Sequence, residues 1–200
     1  MNILVTGAKG MVGTALVNNL KNLRDGKNRT RPELLIEEIY EYDIDSTMEQ
    51  LDEYCGKADF VFHLAGVNRP KQQSEFMEGN FGFSSTLLDA LKKCGNKAPI
   101  MLSSSIQATL IGRYGESDYG RSKLAGEELF FSYAEENGAK VAVYRFPNLM
   151  GHSRPNYNSA VSTFCNAVAN PNEKYCYVPV THKVTLGEIV DFLELFTAQP

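Results

Sequence analysis

Tyr119 and Lys123 are the residues of this sequence best suited to moving a proton, and they lie four positions apart. On a helix this spacing puts two side chains on one face. A tyrosine phenol has a pKa of about 10, and a neighbouring ammonium favours the phenolate and lowers that value. The pair could then exchange a proton with a sugar or alcohol oxygen. We therefore treat both as candidate catalytic residues.

Ser105 is a third candidate, because it ends a serine run that follows the apolar segment 99–102. At the carboxyl end of a strand, its hydroxyl could hydrogen-bond the same oxygen. A Tyr-x-x-x-Lys match is frequent by chance, and an exposed tyrosine beside a solvated lysine is the alternative. The order of the motifs favours chemistry, because a glycine-rich loop comes first, then the serine strand, then the tyrosine helix.

The glycine-rich loop lies between an apolar run, 2–5, and an amphipathic segment, 11–23, which predicts a strand, a turn and a helix. Gly7 would allow the tight turn, Gly10 the approach of a pyrophosphate, and Gly13 close packing of helix on strand. The helix N-terminus would point N–H groups and its positive dipole end at the phosphates. A nicotinamide held there would exchange a hydride. The predicted cofactor contacts of this loop are Gly7, Lys9, Gly10, Met11, Val12 and Gly13.

Two charged residues give opposite indications about the dinucleotide. Asp43 ends the predicted second strand, where an acid can bind the ribose hydroxyls of NAD(H). An aspartate that caps the next helix is an equally open interpretation. Lys9 lies inside the glycine loop, where a cation could meet the 2′-phosphate of NADP(H). With the resemblance described below, we expect NADP(H), with NAD(H) as the alternative.

Alternating apolar and amphipathic segments predict the elements that position these residues. The predicted strands are 2–5, 34–43, 58–66, 99–102 and 141–146, and the predicted helices are 11–23, 47–55, 74–93 and 119–137. The expected fold is α/β, a doubly wound parallel sheet with the first strand–turn–helix at its centre. His63 is expected to be structural, and Asn80 either solvated or turned inward to support a site.

The signals weaken beyond residue 151. We predict a helix over 160–169, a short extended piece over 175–180, and a capping box that opens a helix over 186–196. The expected organisation is a dinucleotide-binding domain over 1–150, with a reduced C-terminal substrate lobe over 151–200 packed on it.

Composition and charge exclude several functions. A net charge of −4 argues against general nucleic-acid binding. No apolar run has the length of a membrane span, and the N-terminus does not resemble a secretory signal. The four cysteines lack paired metal spacing, so we expect reduced thiols, a cytoplasmic setting and no metal site. The sequence leaves open whether the chain forms a homo-oligomer.

These motifs resemble the extended short-chain dehydrogenase/reductase family, whose fold is of the Rossmann type. The glycine loop, the stretch His63-Leu64-Ala65-Gly66, the serine run and the Tyr119/Lys123 pair carry the resemblance. Further stretches are similar to capsular polysaccharide enzymes that reduce a 4-keto nucleotide sugar to a UDP-2-acetamido-2,6-dideoxy-talose: 63–70, 103–109, 147–149, 154–159 and 183–190.

The resemblance implies roles for individual residues. Tyr119 would be the acid, with Lys123 as its partner, Ser105 as the third member and Asn80 in support. Further cofactor contacts would be Leu64, Ala65, Gly66 and Pro147. A UDP-sugar substrate would meet Asn68, Arg69, Asn148, Arg154, Tyr157 and Asn158. An arginine suits a diphosphate, although an ordinary surface loop at 154–158 has almost equal support.

The sequence also departs from these relatives. Their stretch between the helix ending near residue 169 and the helix near 184–186 is much longer, and they continue into a metal-binding cupin domain that these 200 residues do not include. Asp43 departs from the basic pair expected at a 2′-phosphate. Ile106 and Gln107 follow Ser105 where dehydratases carry acids, which argues against dehydration. The alternatives are a nucleotide-sugar 4-epimerase and a non-catalytic cofactor-binding protein.

Overall fold

The computed structural model describes residues 1–67, 77–147, 149, 165–166, 168–170, 175–178 and 182–185. The chain divides into two compact units, Met1–Pro147 and Asn148–Pro200. The first unit carries the glycine loop and the candidate catalytic residues, so its elements are those that position the site.

The first unit alternates strands with helices. Its strands are β1 (Ile3–Thr6), β2 (Ile39–Tyr42), β3 (Phe60–His63), β4 (Ile100–Ser105) and β5 (Val141–Phe146). Its α-helices are α1 (Met11–Arg24), α2 (Met48–Lys57), α3 (Phe83–Lys93) and α4 (Asp118–Asn137). A π-helical turn (Met77–Gly82) precedes α3, and two short 3₁₀ turns (Ile106–Thr109 and Gly112–Tyr114) follow β4.

The five strands form one parallel sheet in the order β2-β1-β3-β4-β5. The strand order reverses between β1 and β3, and such a reversal leaves a crevice at the carboxyl ends of the strands. The predicted doubly wound parallel fold is confirmed. Among the described strands, the expected central place of β1 is wrong, because β1 is second in the order and β3 takes the middle position.

Side chains of the sheet alternate between two apolar cores. On one face Ile3 and Val5 pack with Val17 and Leu20 of α1. On the other face, strand residues pack with helices α2, α3 and α4, and the fully buried members of this core include Leu4, Leu51, Val61, Leu87, Leu91, Ile100 and Phe130. Fully burying one such side chain contributes about 1.5–3 kcal/mol. Cover on both faces explains the uninterrupted apolar character of β3.

Several predicted boundaries differ from the structure. The predicted strand 34–43 pairs only over Ile39–Tyr42, because residues such as Ile36 are buried against α1 without joining the sheet. Within the described residues, the predicted helix 74–93 consists of the π-helical turn followed by α3. The predicted C-terminal cap of α4 at Gly138 is confirmed, with φ +66°.

Helix α2 begins with a capping box that involves Thr47 and Gln50. The Thr47 hydroxyl accepts a hydrogen bond from the Gln50 amide at 3.3 Å, and the Gln50 side chain accepts one from the Thr47 amide at 2.9 Å. The proposed helix-capping role of Asp43 is therefore wrong, because Thr47 already satisfies this end of the helix.

In the second unit, β6 (Tyr175–Val178) and β7 (His182–Thr185) form an antiparallel pair. The predicted extended piece is confirmed over Tyr175–Val178, whereas β7 was not predicted. Residues 165–166 and 168–169 are helical, within the predicted helix 160–169. The predicted helix 186–196 lies outside the described residues. Among the helices that the structure describes, none is both long and apolar enough to cross a bilayer.

Candidate active site

The glycine loop is held by close contact with its neighbours. Gly7 has φ +70°, and a Cβ added to it would lie 2.7 Å from the amide nitrogen of Ala65. A Cβ on Gly13 would lie 2.0 Å from the carbonyl oxygen of Gly7. No side chain caps α1 at Gly10, and its first turn carries no acid. The first N–H groups of an α-helix have no partner inside the helix, so this end suits an anion.

Charged residues surround the outer side of this loop. The Lys9 amide donates to Asp43 Oδ2 at 2.7 Å, and the Ile44 amide donates to Asp43 Oδ1 at 2.8 Å. The Lys9 ammonium is paired with Asp45. The hydrogen bond between these two side chains raises the pKa of Lys9 and lowers the pKa of Asp45. Both side chains are exposed, so the pair is weak and a ligand could replace either partner.

Ser105, Tyr119 and Lys123 are brought together where β4 ends and α4 begins. The side chains of Ser105 and Tyr119 share a hydrogen bond. The Lys123 ammonium lies 5.9 Å from the centre of the Tyr119 ring and donates to the carbonyl oxygen of Ser103 at 3.2 Å. Ser105 is 8% exposed and Lys123 is 9% exposed. The prediction that Tyr119 and Lys123 share one face of a helix is confirmed.

Burial sets the protonation of this cluster. It raises the pKa of Tyr119, against an opposing effect of the Ser105 hydrogen bond. It also lowers the pKa of Lys123 to about 8, against an opposing effect of the Glu127 charge. The expectation that the pKa of Tyr119 is lowered overall is therefore wrong. Removal from water disfavours the charged form of each group, and in Tyr119 this effect on the pKa exceeds the opposing effect of the Ser105 hydrogen bond.

Asn80 is turned inward, in agreement with one of the two expectations. It is 5% exposed and lies on the π-helical turn, a feature frequent at functional sites. Its side chain accepts from the Val67 amide at 2.9 Å and donates to the Val67 carbonyl and the Ser122 hydroxyl, both at 3.1 Å. A Cβ on Gly66 would lie 2.6 Å from Asn80 Oδ1 and 3.0 Å from Lys123 Nζ. Asn80 thus connects the end of β3 to α4.

His63 is 1% exposed and has the structural role that was predicted. Its Nδ1 lies 2.7 Å from the Thr6 hydroxyl and its Nε2 lies 2.9 Å from the Ser84 hydroxyl. Because Ser84 donates to the Asn80 carbonyl at 2.6 Å, we assign the ring proton to Nε2. Burial lowers the pKa of His63 to about 3, so the ring is neutral. This chain of hydrogen bonds joins β1, β3 and α3.

The remaining predicted residues divide into two groups. Leu64 and Ala65 directly follow β3, where the Ala65 amide donates to the Thr6 hydroxyl at 3.4 Å, and Pro147 directly follows β5. All six predicted substrate residues lie outside the described part of the chain: Asn68, Arg69, Asn148, Arg154, Tyr157 and Asn158. In the described ranges, no three His, Cys, Asp or Glu side chains are grouped so that they could hold a metal ion.

Sequence reasoning missed Glu127, which lies four residues after Lys123 on the same helix. It is 2% exposed and is paired with Arg145 of β5. The available signal was the spacing, since Tyr119, Lys123 and Glu127 recur at intervals of four.

A parallel sheet with a glycine loop at the reversal of strand order defines a doubly wound fold of the dinucleotide-binding class. The chain belongs to the NAD-dependent epimerase/dehydratase family, whose profile matches residues 3–196. This family membership confirms the resemblance seen in the sequence.

Individual relatives share large parts of this chain. It is 40% identical over 169 residues to a UDP-2-acetamido-2,6-beta-L-arabino-hexul-4-ose reductase of Pseudomonas aeruginosa, a match that covers 84% of this chain and 41% of the relative. The crystal structure of the capsular polysaccharide assembling protein CapF from Staphylococcus aureus has 38% identity and a TM-score of 0.69, and covers 98% of this chain and 58% of that one.

A UDP-N-acetylglucosamine 4-epimerase from Bacillus cereus has 28% identity and a TM-score of 0.61, over 84% of this chain and 59% of that one. The chain therefore spans less than two thirds of the length of each of these relatives.

Proposed function

We propose that this protein uses NAD(P)H to reduce the 4-keto group of a nucleotide sugar during the biosynthesis of a surface or capsular polysaccharide. The observation that carries the proposal is the cluster of Ser105, Tyr119 and Lys123 at the end of β4. Lys123 is adjacent to Gly66, and the preceding residue, Ala65, is in contact with Gly7 of the glycine loop. Only Ala65 and Gly66 thus lie between Lys123 and the glycine loop.

The side chains suit the protonation of a carbonyl oxygen. Tyr119 holds its proton at neutral pH, because burial raises its pKa, and it would donate that proton to the keto oxygen. The Ser105 hydroxyl would hydrogen-bond the same oxygen. The Lys123 ammonium would stabilise the phenolate that remains. A nicotinamide would supply the hydride, as it does in NAD-dependent chemistry generally.

The cofactor would lie across the crevice between β1 and β3. The α1 N-terminus, with Gly10, Met11 and Val12, would bind the pyrophosphate. Leu64, Ala65, Gly66 and Pro147 would line the remainder. We propose NADP(H), because the Lys9 ammonium is exposed at the loop and its pair with Asp45 is weak. Asp43 favours the free ribose hydroxyls of NAD(H), which is the alternative.

A UDP-sugar is the proposed substrate class, because the Pseudomonas relative is named as a reductase of one UDP-sugar and the Bacillus relative as a 4-epimerase of another. Arg154 would bind the diphosphate through paired hydrogen bonds, and the other proposed substrate contacts are Tyr157, Asn158, Asn68, Arg69 and Asn148. Replacement Arg154→Ala should weaken UDP-sugar binding, measured by calorimetry, and leave cofactor binding unchanged. Unchanged UDP-sugar affinity would remove this loop from the site.

The decisive experiment supplies the purified protein with NADPH and a 4-keto-6-deoxy nucleotide sugar. We expect loss of NADPH absorbance in step with the appearance of the 4-hydroxy sugar. An absence of NADPH oxidation with several such sugars, in protein that binds the cofactor, would contradict the reductase proposal and favour a 4-epimerase or a non-catalytic role.

A 4-epimerase is the second candidate, favoured by the likeness to the Bacillus enzyme and by the suitability of the same three residues for proton transfer in either direction. It predicts that the protein is purified with tightly held NAD and interconverts two 4-hydroxy epimers without net consumption of cofactor. Product analysis by chromatography separates this outcome from reduction.

A further inference from the structure

Glu127 is a buried carboxylate for which the proposed reaction has no direct use. It lies on α4, one helical turn beyond Lys123, and only 2% of it is exposed. Neither a substrate nor a cofactor could touch it without displacing the core around it. A charge in this position needs a reason, because taking an ion out of water costs several kcal/mol unless partners compensate.

The partners of Glu127 come from two different strands. The Ser104 hydroxyl of β4 donates to Oε1 at 2.5 Å. Arg145 of β5 donates through Nε to Oε1 at 2.9 Å and through Nη2 to Oε2 at 2.6 Å. This forked geometry is the strong form of a charge-assisted hydrogen bond. Glu127 therefore connects α4 to the two strands next to the proposed site.

Stability alone explains this arrangement poorly. A buried ion pair is often no more stabilising than apolar residues of the same volume. What an apolar replacement could not supply is the negative charge next to Lys123. The side chains of Lys123 and Glu127 project from the same face of α4, because they are four residues apart.

Other groups around Lys123 provide little compensating charge. Its Nζ donates to the Ser103 carbonyl, and the Tyr119 ring lies beside it with a protonated phenol. On β3, His63 is neutral. Asn80 of the π-helical turn presents an uncharged amide. Of the charged side chains that the structure describes, Glu127 is the one whose field raises the pKa of Lys123.

We propose that Glu127 is a positioning residue: with Ser104 and Arg145 it fixes the face of α4 that carries Tyr119 and Lys123, and its buried charge keeps Lys123 an ammonium ion. This inference rests on the proposed function, because it gives Glu127 a part in that same site. Without the carboxylate, burial would act on Lys123 unopposed, and the lysine would lose its proton at a lower pH.

The test replaces Glu127 with glutamine, which keeps the size and the hydrogen-bonding oxygen and removes the charge. Glu128→Gln is the matched control, because this exposed neighbour undergoes the same chemical change on the same helix. The titration of Lys123 is followed by NMR of isotope-labelled lysine side chains, with the signal assigned by its loss in Lys123→Met. This measurement needs neither substrate nor turnover.

In Glu127→Gln we expect the pKa of Lys123 to fall by about one unit, with no change in Glu128→Gln. The alkaline limb of the pH–rate profile should move to lower pH by the same amount, because the protonated lysine is lost sooner. An unchanged Lys123 titration in a folded Glu127→Gln protein would overturn the proposal, even if the melting temperature falls, since Glu127 would then be a structural contact only.

Arg145→Gln changes the exposed partner of the Glu127–Arg145 pair, and we expect it to shift the pKa of Lys123 in the opposite direction. Removing this positive charge should raise the pKa of Lys123, because less of the Glu127 charge is neutralised. If Glu127→Gln does not fold, an unchanged or lowered Lys123 pKa in Arg145→Gln overturns the proposal. If the titrations shift as expected but no nucleotide sugar is reduced, the proposed function fails, and the electrostatic role of Glu127 stands.

Discussion

Tyr119 and Lys123 respond in opposite directions to the same removal from water. The pKa of the phenol rises, whereas the pKa of the ammonium falls to about 8. Between neutrality and that value, the tyrosine carries its proton and most of the lysine is charged. This is the combination that a proton donor and its electrostatic partner need, so burial at the helix start prepares the pair for acid catalysis.

Replacing Tyr119 with phenylalanine should abolish turnover while leaving the fold and the cofactor affinity intact, because it keeps the ring and removes only the dissociable proton. General acid–base catalysis is commonly worth about a hundred- to ten-thousand-fold, and we expect a loss of that order. Lys123→Met should lose a similar factor and should also weaken cofactor binding. Single-turnover NADPH oxidation and cofactor fluorescence measure the two effects.

Tyr114→Phe is the matched control, since this tyrosine contacts Arg113 in the loop before α4 and lies outside the cluster. It should behave like the parent protein. A Tyr119→Phe variant that retains most of its rate would remove this residue from the catalytic role.

His63 should make stability depend on pH. Its pKa is about 3 in the fold and about 6.5 in an unfolded chain, so the unfolded state binds more protons between these values. Stability is therefore fully present above about pH 6.5 and is lost as the pH falls. From pH 7 to pH 5 this single group should cost about 2 kcal/mol.

Denaturant unfolding at several pH values tests this for the parent and for His63→Gln. The variant is expected to be less stable at neutral pH, where the hydrogen bonds to Thr6 and Ser84 are lost, but its stability should fall less steeply on acidification. Parallel pH profiles for the two proteins would show that His63 does not titrate on unfolding.

At the scale of elements, most residues of the proposed site lie at the end of a strand or directly after it. The glycine loop after β1, residues 64–66 after β3 and Ser105 at the end of β4 share the carboxyl edge of the sheet, and α4 presents Tyr119 and Lys123 to the same edge. Parallel strands make this possible, because their carboxyl ends meet on one side.

Gly10→Val should weaken dinucleotide binding by about tenfold or more, a cost of about 1.4 kcal/mol. A Cβ at this position would lie 3.2 Å from the Gly7 carbonyl oxygen, so the loop can hold it with a small adjustment, but the side chain would occupy the approach to the helix N-terminus. Isothermal titration with NADPH and NADH measures the loss.

Gly56→Ala on α2 is the control, because its Cβ would meet only Cys94 Sγ at an ordinary 3.7 Å. It should bind cofactor like the parent. If Gly10→Val also binds dinucleotide normally, the glycine loop does not hold the pyrophosphate.

Local sequence was sufficient to predict most of these elements. The glycine loop, the cap at Gly138 and the helix from Asp118 rest on neighbouring residues. The sheet order and the short β2 could not be predicted, because strand pairing joins residues far apart in sequence. The hydrogen-bond partners of Glu127 could not be predicted for the same reason, since Ser104 and Arg145 lie 23 and 18 residues away from it.

At the scale of the whole molecule, the described elements of the first unit would hold the cofactor, whereas the residues proposed to hold the sugar lie mainly in the second unit, Asn148–Pro200. The chain also spans only 41% of the length of its Pseudomonas relative. Cofactor binding can thus be tested independently of the sugar.

NADPH should stabilise the protein more than NADH at equal concentration. A ligand at a hundred times its Kd adds about 2.7 kcal/mol to stability, so the tighter cofactor gives the higher melting temperature. Fluorescence titration of both cofactors gives the affinities directly. Clearly tighter NADH binding would assign the ribose site to Asp43 and overturn the expectation of NADP(H).

The hydrogen bond from the Lys9 amide to Asp43 has a consequence for redesign of the coenzyme preference. Substituting the acid after β2 is the obvious way to switch a nucleotide-binding protein between its two coenzymes. Here that substitution would also release the backbone of the phosphate loop, since Asp43 accepts from it at 2.7 Å. An engineer would do better to begin at Asp45, whose exposed carboxylate pairs with a side chain and leaves the loop backbone in place.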